Sequence, residues 1–305
     1  MKQHHRMNAL GRAFLATLWL SAFLGMKAQA TTGVGYALIG TAHSSGAQEA
    51  MVVSGGGWLT RRHLVHNAVL IRHPKGDLLL DTGLGRAIHE QFAVNSWFDQ
   101  TLFAFEEVRP AADQLAAQHY DFSRLMAIVP THLHWDHVSG LKDFPNIPVW
   151  TTRAEYEFAM TQGKAPEFLR SQYDGDQIPW QFVQLEERSH MGFRQSLDVF
   201  GDGSVVLVGL SGHSPGQLGL ILTLDSGKEL FFIGDTTWTL EGIQNLKPRP
   251  DFVHWVADVD WKLDANDTQI QAIHALANRR PKMVIVPAHD ENVAKALSHY
   301  PEFEF

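Results

Sequence analysis

The sequence predicts an α/β protein built as one large domain, and three observations lead to that class. Strand-like apolar hairpins and segments of helical spacing share the chain, a hairpin of the same form occurs in each half, and no Pro/Ser/Gly tract or charge block divides residues 31–305. In chain order, Lys2, Arg6 and Arg12 precede the apolar run Ala13 to Met26, which ends in the small residues Ala28-Gln29-Ala30. That is the form of a secretory signal peptide, so residues 1–30 are expected to be cleaved and 31–305 to form the mature domain, periplasmic or secreted. The run is short for a stable membrane anchor, and no cysteine near the cleavage position offers a site for lipid. Leu70-Ile71-Arg72-His73-Pro74-Lys75-Gly76-Asp77-Leu78-Leu79-Leu80 reads as strand, turn, strand and runs into Asp81-Thr82. Apolar residues recur at helical spacing over Ala111 to His119, Arg153 to Met160 and Asp267 to Asn278. The second hairpin, Leu220 to Ile233 around the turn Asp225-Ser226-Gly227-Lys228, runs into Gly234-Asp235-Thr236, so both hairpins end at an acid.

Between them lies the densest chemistry in the chain. The apolar run Met126-Ala127-Ile128-Val129 is followed by Thr131-His132-Leu133-His134-Trp135-Asp136-His137, three imidazoles and a carboxylate in six residues. Neutral imidazole nitrogen and carboxylate oxygen are the usual ligands of a hydrolytic zinc site. In an extended segment alternate side chains share a face, so His132 and His134 can converge on one ion, with Asp136 and His137 supplied by the turn that follows. The competing interpretation is a solvated, His-rich turn. With 17 histidines chance pairs are expected, but the ordered His-x-His-x-Asp-His pattern at a strand end is much rarer.

At these residues the chain resembles the metallo-β-lactamase superfamily. The remaining signals of that family occur in order: Gly212-His213-Ser214-Pro215-Gly216, Gly234-Asp235, and Pro287-Ala288-His289-Asp290. The resemblance implies an αββα sandwich, two mixed β-sheets face to face with helices outside. It implies two divalent metal ions, zinc before iron or manganese, the first held by His132, His134 and His213, the second by Asp136, His137 and His289, with Asp235 bridging. Two such ions carry four positive charges; Asp136, Asp235 and a bridging hydroxide remove three, leaving a site able to ionise water and stabilise an oxyanion. The expected activity is therefore hydrolysis, with Asp235 or Asp136 as the catalytic acid that handles the proton. Asp81, the counterpart of Asp235 in the first hairpin, is expected beside the ligands, accepting an imidazole N–H, with a turn-capping role as the alternative.

Within the superfamily the stretch His132 to Gly140, the segment Thr151 to Tyr156 and Ala288-His289-Asp290-Glu291 look like lactonases that open N-acyl homoserine lactones. One departure stands out: where that branch often has a tyrosine three residues beyond the bridging Asp, this chain has Trp238. An indole N–H donates a hydrogen bond but cannot act as an acid. Aromatic residues at 92–105 and 238–261 suggest a hydrophobic lip, with Trp135, Trp238, Phe92 and Trp97 as pocket candidates; core packing or a homodimer interface would use the same residues. Such a lip suits a hydrophobic small-molecule lactone or ester, and a phosphotriester or β-lactam on the same centre is the alternative. A non-catalytic metal-binding protein is an alternative of another class.

Other classes fit less well. Loss of residues 1–30 removes Lys2, Arg6, Arg12 and Lys27 and no acid, taking the formal charge from −8 to −12, which disfavours nucleic acid. The absence of cysteine leaves no disulfide framework and excludes the β-lactamase subclass with a Cys ligand. The oxygen-reducing di-iron members place Glu where this chain has His134. Asp81-Thr82-Gly83 and Asp225-Ser226-Gly227 have the form of an aspartic-protease pair, but the second lies between apolar runs and is expected to be a hairpin turn. His63, His66, His73, His89, His119, His190, His254, His274 and His299 are expected to be bystanders.

Overall fold

The computed structural model describes residues 33–305 apart from Asp176 and Asp258, so the expected signal segment 1–30 lies outside the described residues. Nine strands come first: β1 (Gly35–Ser44), β2 (Ala47–Gln48), β3 (Arg61–Arg62), β4 (Val65–Arg72), β5 (Asp77–Leu80), β6 (Phe105–Glu106), β7 (Leu125–Val129), β8 (Val149–Thr151) and β9 (Trp180–Phe182). Five follow: β10 (Ser196–Asp198), β11 (Val205–Gly209), β12 (Leu218–Thr223), β13 (Glu229–Phe232) and β14 (Val284–Val286). They form a seven-stranded sheet ordered β6-β1-β4-β5-β7-β8-β9, a five-stranded sheet ordered β10-β11-β12-β13-β14, and the small pair β2-β3.

The recurring hairpin of the sequence becomes a recurring topology. In the first sheet β1, β4 and β5 are successive antiparallel neighbours and β7 is added parallel to β5. In the second, β11, β12 and β13 are antiparallel and β14 is parallel to β13. Parallel addition leaves the ends of β5 and β7, and of β13 and β14, side by side, and the loops leaving those ends carry Asp81, the His132–His137 cluster, Asp235 and His289.

Alternation along each strand builds the layers. Leu78 and Leu80 face the sandwich interior with Val69, Ile71, Ala127 and Val129, against Leu207, Leu220, Leu222 and Phe232 of the other sheet. Leu79, Leu70 and Ile128 point the opposite way into a second core with Leu115 and Ala159 from the helices Ala111–Ala117 and Arg153–Thr161. Val206, Val208, Ile221 and Phe231 likewise meet Ile270, Ile273 and Leu276 of the helix Leu263–Arg279. Sheets covered on both faces need continuous apolar strands, which is why Asp77–Leu80 and Val205–Gly209 show no polar alternation. The three helices coincide with the segments of helical spacing to within a few residues.

Asp225-Ser226-Gly227 is the β12–β13 turn: Gly227 has φ of +80° and its N–H donates to Leu224 O. Asp225 is exposed and accepts from Val34 N, whereas Asp81 contacts Thr131 and His137. No carboxylate dyad forms from these two loops.

Candidate metal centre

Backbone that has just left a sheet carries every expected ligand. Beyond β7 the chain bends at Thr131 and His132, is extended at His134, and turns into the short helix Trp135–Val138, which presents Asp136 and His137. His213 sits in the β11–β12 turn, Asp235 three residues past β13, and His289 three residues past β14. The six side chains other than Asp136 are each 7% exposed or less.

These side chains converge. His213 Nε2 stands 3.1 Å from His132 Nε2 and 3.0 Å from His134 Nδ1. Asp235 Oδ1 is 3.2 Å from His137 Nε2, and its Oδ2 is 3.1 Å from His289 Nε2 and 3.7 Å from His213 Nε2. Asp136 Oδ2 is 3.4 Å from His289 Nε2. Two ligands about 2.1 Å from a common zinc ion stand ~3.0 to ~3.4 Å apart for angles between ~90° and ~109°. All but the 3.7 Å between Asp235 Oδ2 and His213 Nε2 fall in that range, and Asp235 lies beside both sets. His137 Nε2 and Asp235 Oδ1 are buried and close but lack hydrogen-bond alignment, as expected of groups aimed at a point between them. The donor set therefore fits a pair of divalent cations.

Three of the imidazoles are oriented from behind. His213 Nδ1 lies 2.8 Å from Asp260 Oδ1, His289 Nδ1 2.8 Å from Val65 O, and His137 Nδ1 3.0 Å from Asp81 Oδ2. A distal N–H given to such an acceptor leaves the near nitrogen with its lone pair toward the centre. Asp81 thus meets the His137 imidazole from behind and also accepts from Thr131 N at 2.6 Å. Its φ of +54° is left-handed, a conformation Asp tolerates better than most residues but at a cost, and strain of this kind gathers at functional sites.

Two supports were missed in the sequence. Glu155, fully buried on the helix Arg153–Thr161, accepts from Leu133 N at 2.8 Å and, through its other oxygen, from Ser214 Oγ at 2.7 Å and Gly216 N at 2.9 Å. One carboxylate therefore ties the His132–His137 loop to the His213 turn. Burial pushes its pKa up, against those donors. The approach demands glycine at 216, where a Cβ would lie 2.6 Å from Glu155 N. The second support is Asp260, which joins His213 to the buried Arg249; Arg249 also donates to Asp235 O at 2.7 Å and lies over the Trp238 ring. The only sequence signal for Glu155 was its place in the Thr151–Tyr156 segment, and Asp260 had none.

Without metal, protons balance the charge. Burial lowers the pKa of His132 and His134 well below the ordinary value, with help from neighbouring imidazoles, and lowers that of His213. Burial also opposes charge on His137 and His289, but Asp81 and Asp235 for the first, and Asp235 for the second, outweigh it and raise both. Asp136 and Asp235 are held below the usual carboxylate range, burial being outweighed by His137 for Asp136 and by His289 and His137 for Asp235. The paired charges are the arrangement a cation would replace.

A cleft opens on this centre, floored by His134, Asp136, His213, Asp235 and His289 and walled by Leu64, Phe103, Phe252, Val253 and Val259. Trp135 and Trp238 line it, and Trp238 Nε1 donates to Asp235 Oδ2 at 3.0 Å. The other two pocket candidates lie elsewhere. Phe92 is buried behind Trp135, ring centroids 4.3 Å apart, because its helix turns its apolar face to the core. Trp97 is 78% exposed and packs edge-on against Phe98 outside the cleft. One bystander needs correcting as well: His66 on β4 lines the cleft with its Nδ1 3.2 Å from Asp136 Oδ2. An isolated His in an apolar strand has no local signal for that contact, which exists because the β4 end faces the helix Trp135–Val138.

Comparison with known proteins adds to this geometry. A model of the Metallo-beta-lactamase superfamily matches residues 61–289. Over 238 residues, 77% of this chain and 85% of the relative, the chain is 26% identical to the N-acyl homoserine lactonase AttM of Rhizobium radiobacter. Over 241 residues, 77% and 84% of the two chains, it is 24% identical to the N-acyl homoserine lactonase AiiA of Bacillus thuringiensis subsp. kurstaki. In fold it is similar to a mutant of B. thuringiensis AiiA with N-decanoyl-L-homoserine bound at the active site, with TM-score 0.68 and 20% identity, covering 90% of this chain and 100% of that one. It is also similar to AidC, a dizinc quorum-quenching lactonase, with TM-score 0.52 and 16% identity over 80% of this chain and 76% of that one.

Proposed function

This chain belongs to the metallo-beta-lactamase superfamily, and from that premise we propose that it is an exported, dinuclear metal-dependent hydrolase that opens a hydrophobic lactone or ester of the N-acyl homoserine lactone kind. The observation that carries the proposal is the cleft: an apolar wall that suits an acyl chain leads onto a floor of convergent ligands. The lactonase relatives support the same substrate class.

His132, His134 and His213 would hold one cation and Asp136, His137 and His289 the other, with Asp235 between them. Bound there, two divalent cations, zinc in the first instance, supply the positive charge that makes water acidic near neutral pH and polarises a carbonyl. The chain's own residues do the rest. Phe103, Phe252 and Val253 take the acyl chain and exclude water along it. Trp238, whose N–H is given to Asp235 Oδ2, fixes that carboxylate and offers an aromatic surface beside the reacting carbonyl. Asp136 Oδ1, the oxygen turned away from His66 and His289, takes the proton released as water adds to the carbonyl carbon, and returns it to the ring oxygen as the ester C–O bond breaks, leaving a hydroxy acid.

The test is a panel of N-acyl homoserine lactones, aryl esters, a phosphotriester and a β-lactam on metal-loaded protein, with metal content measured in parallel. Preference for long-acyl lactones and loss of turnover on chelation are expected. Turnover that survives complete metal removal would overturn the mechanism, and a preference for the phosphotriester or β-lactam would overturn the substrate class. Export is tested by sequencing the N-terminus of protein recovered outside the cytoplasm, which is expected to begin at Thr31.

A further inference from the structure

His66 belongs to β4, away from the loops that bring in the seven expected ligands, yet its side chain ends at the same centre. It is 7% exposed. Its Nδ1 is 3.2 Å from Asp136 Oδ2, and its ring centroid is 5.3 Å from that of His289 at an interplanar angle of 74°. The candidate ligand atoms of His66, Asp136 and His289 all lie within 4.8 Å of one another, the same compactness shown by His132, His134 and His213.

The contact with Asp136 has the length of a hydrogen bond but not its alignment. His66 Nδ1 is buried and lacks a hydrogen-bond partner among the described residues, although the carboxylate oxygen is near enough for one. A buried imidazole nitrogen beside a carboxylate would ordinarily turn to donate to it, because leaving the donor unmet costs about 1–3 kcal/mol. Two groups that share a cation behave differently: each directs its lone pair at the ion, not at the other group. The separations of Asp136 Oδ2 from His66 Nδ1, 3.2 Å, and from His289 Nε2, 3.4 Å, are those of ligands around one ion of zinc size.

We propose that His66, through Nδ1, is a further protein ligand of the cation assigned to Asp136, His137, His289 and Asp235. This rests on the two-metal reading above and extends its ligand set. The two positions then differ. One is held by His132, His134, His213 and Asp235, whereas the other gains a neutral donor from the sheet itself. The cation beside His66 is therefore expected to be the more firmly retained, and the one beside His134 to be lost first on chelation.

The experiment uses the mature protein loaded with Co2+, whose unpaired electrons shift the N–H protons of coordinated imidazoles far outside the ordinary proton NMR range. His132, His134, His137, His213 and His289 account for five such exchangeable signals; His66 makes six. His66→Gln is expected to lose one signal and to hold the second cobalt at least ~10-fold more weakly in chelator competition, since loss of even an outer partner costs about 10–100-fold. His73→Gln, which removes an imidazole paired with Asp202 and stacked on Phe200, is expected to lose none. An identical set of shifted signals in the parent and His66→Gln would overturn the proposal. Should His66→Gln fail to fold, 15N-histidine spectra of the loaded parent decide alone: a His66 ring without contact shift overturns it and a shifted one supports it. Failure to take up any cobalt would instead sink the two-metal reading.

Discussion

Asp260→Asn is the perturbation whose size the structure defines best. Asp260 is 6% exposed and Arg249 2%. The carboxylate accepts from Arg249 Nε at 3.1 Å and from Nη2 in a shorter contact, and it faces His213 Nδ1 at 2.8 Å. Burial alone would raise the Asp260 pKa, but Arg249 and His213 hold it well below the usual carboxylate range. Removing this charge strands a guanidinium in the interior, and breaking a buried pair from one side costs about 3–5 kcal/mol. Against a total stability of about 5–15 kcal/mol this is a large fraction. At ~2–4 °C per kcal/mol for a domain of this size, Tm should fall by roughly 6–20 °C. His213 also loses a charged acceptor, so metal affinity should drop by about 10–100-fold. Urea unfolding of the chelated protein measures the first effect and chelator competition the second. Arg249→Met removes the stranded charge, so the double variant should be destabilised by less than the sum of the single variants. A change below ~0.5 kcal/mol for Asp260→Asn, or strictly additive single effects, would refute the buried pair as a determinant of stability.

Asp235→Asn takes a negative charge from between the two ligand sets and is expected to lower metal occupancy and cut turnover of every substrate; full occupancy by elemental analysis would refute the bridging assignment. Trp238→Tyr is expected to keep both metals while changing the order of kcat/KM over the substrate panel, because a phenol O–H replaces the indole N–H that now meets Asp235; an unchanged order would make Trp238 a packing residue. For the chelated protein, His137 and His289 titrate above the ordinary value, so the stability they confer is complete below about pH 6.5 and is lost as pH rises through their folded values. His132, His134 and His213 shift the other way and penalise folding as pH falls below about 6.5. Their combined effect is a maximum near that pH, whereas metal affinity rises with pH because bound imidazoles must be deprotonated. Unfolding free energies that climb steadily above pH 6.5 in the chelated protein would contradict these directions.

Local signals made much of this molecule legible from its sequence. Strands covered on both faces are continuously apolar, helices show their own period, and a turn such as Asp225-Ser226-Gly227 announces itself by composition. Histidines crowded into His132–His137 could be understood as ligands because four donors in six residues have few other uses. The matching hairpins before Asp81 and Asp235 also foreshadowed the repeated strand topology.

Contacts between distant segments had no such signal. Glu155 is one acid on a helix until folding sets its two oxygens on Leu133, Ser214 and Gly216. His66 is one polar residue in an apolar strand until β4 ends against Asp136. Phe92 and Trp97 belong to one aromatic stretch, yet packing buries the first and leaves the second in solvent. The sequence by itself determined the fold class and pointed to the seven candidate ligands with Asp81 beside them, because periodicity and motif spacing are local properties of a chain. Only the tertiary structure decided which carboxylates brace those residues, which aromatics face the cleft, and that His66 lies beside Asp136, because burial and partner are set by surfaces that meet only once both sheets have packed.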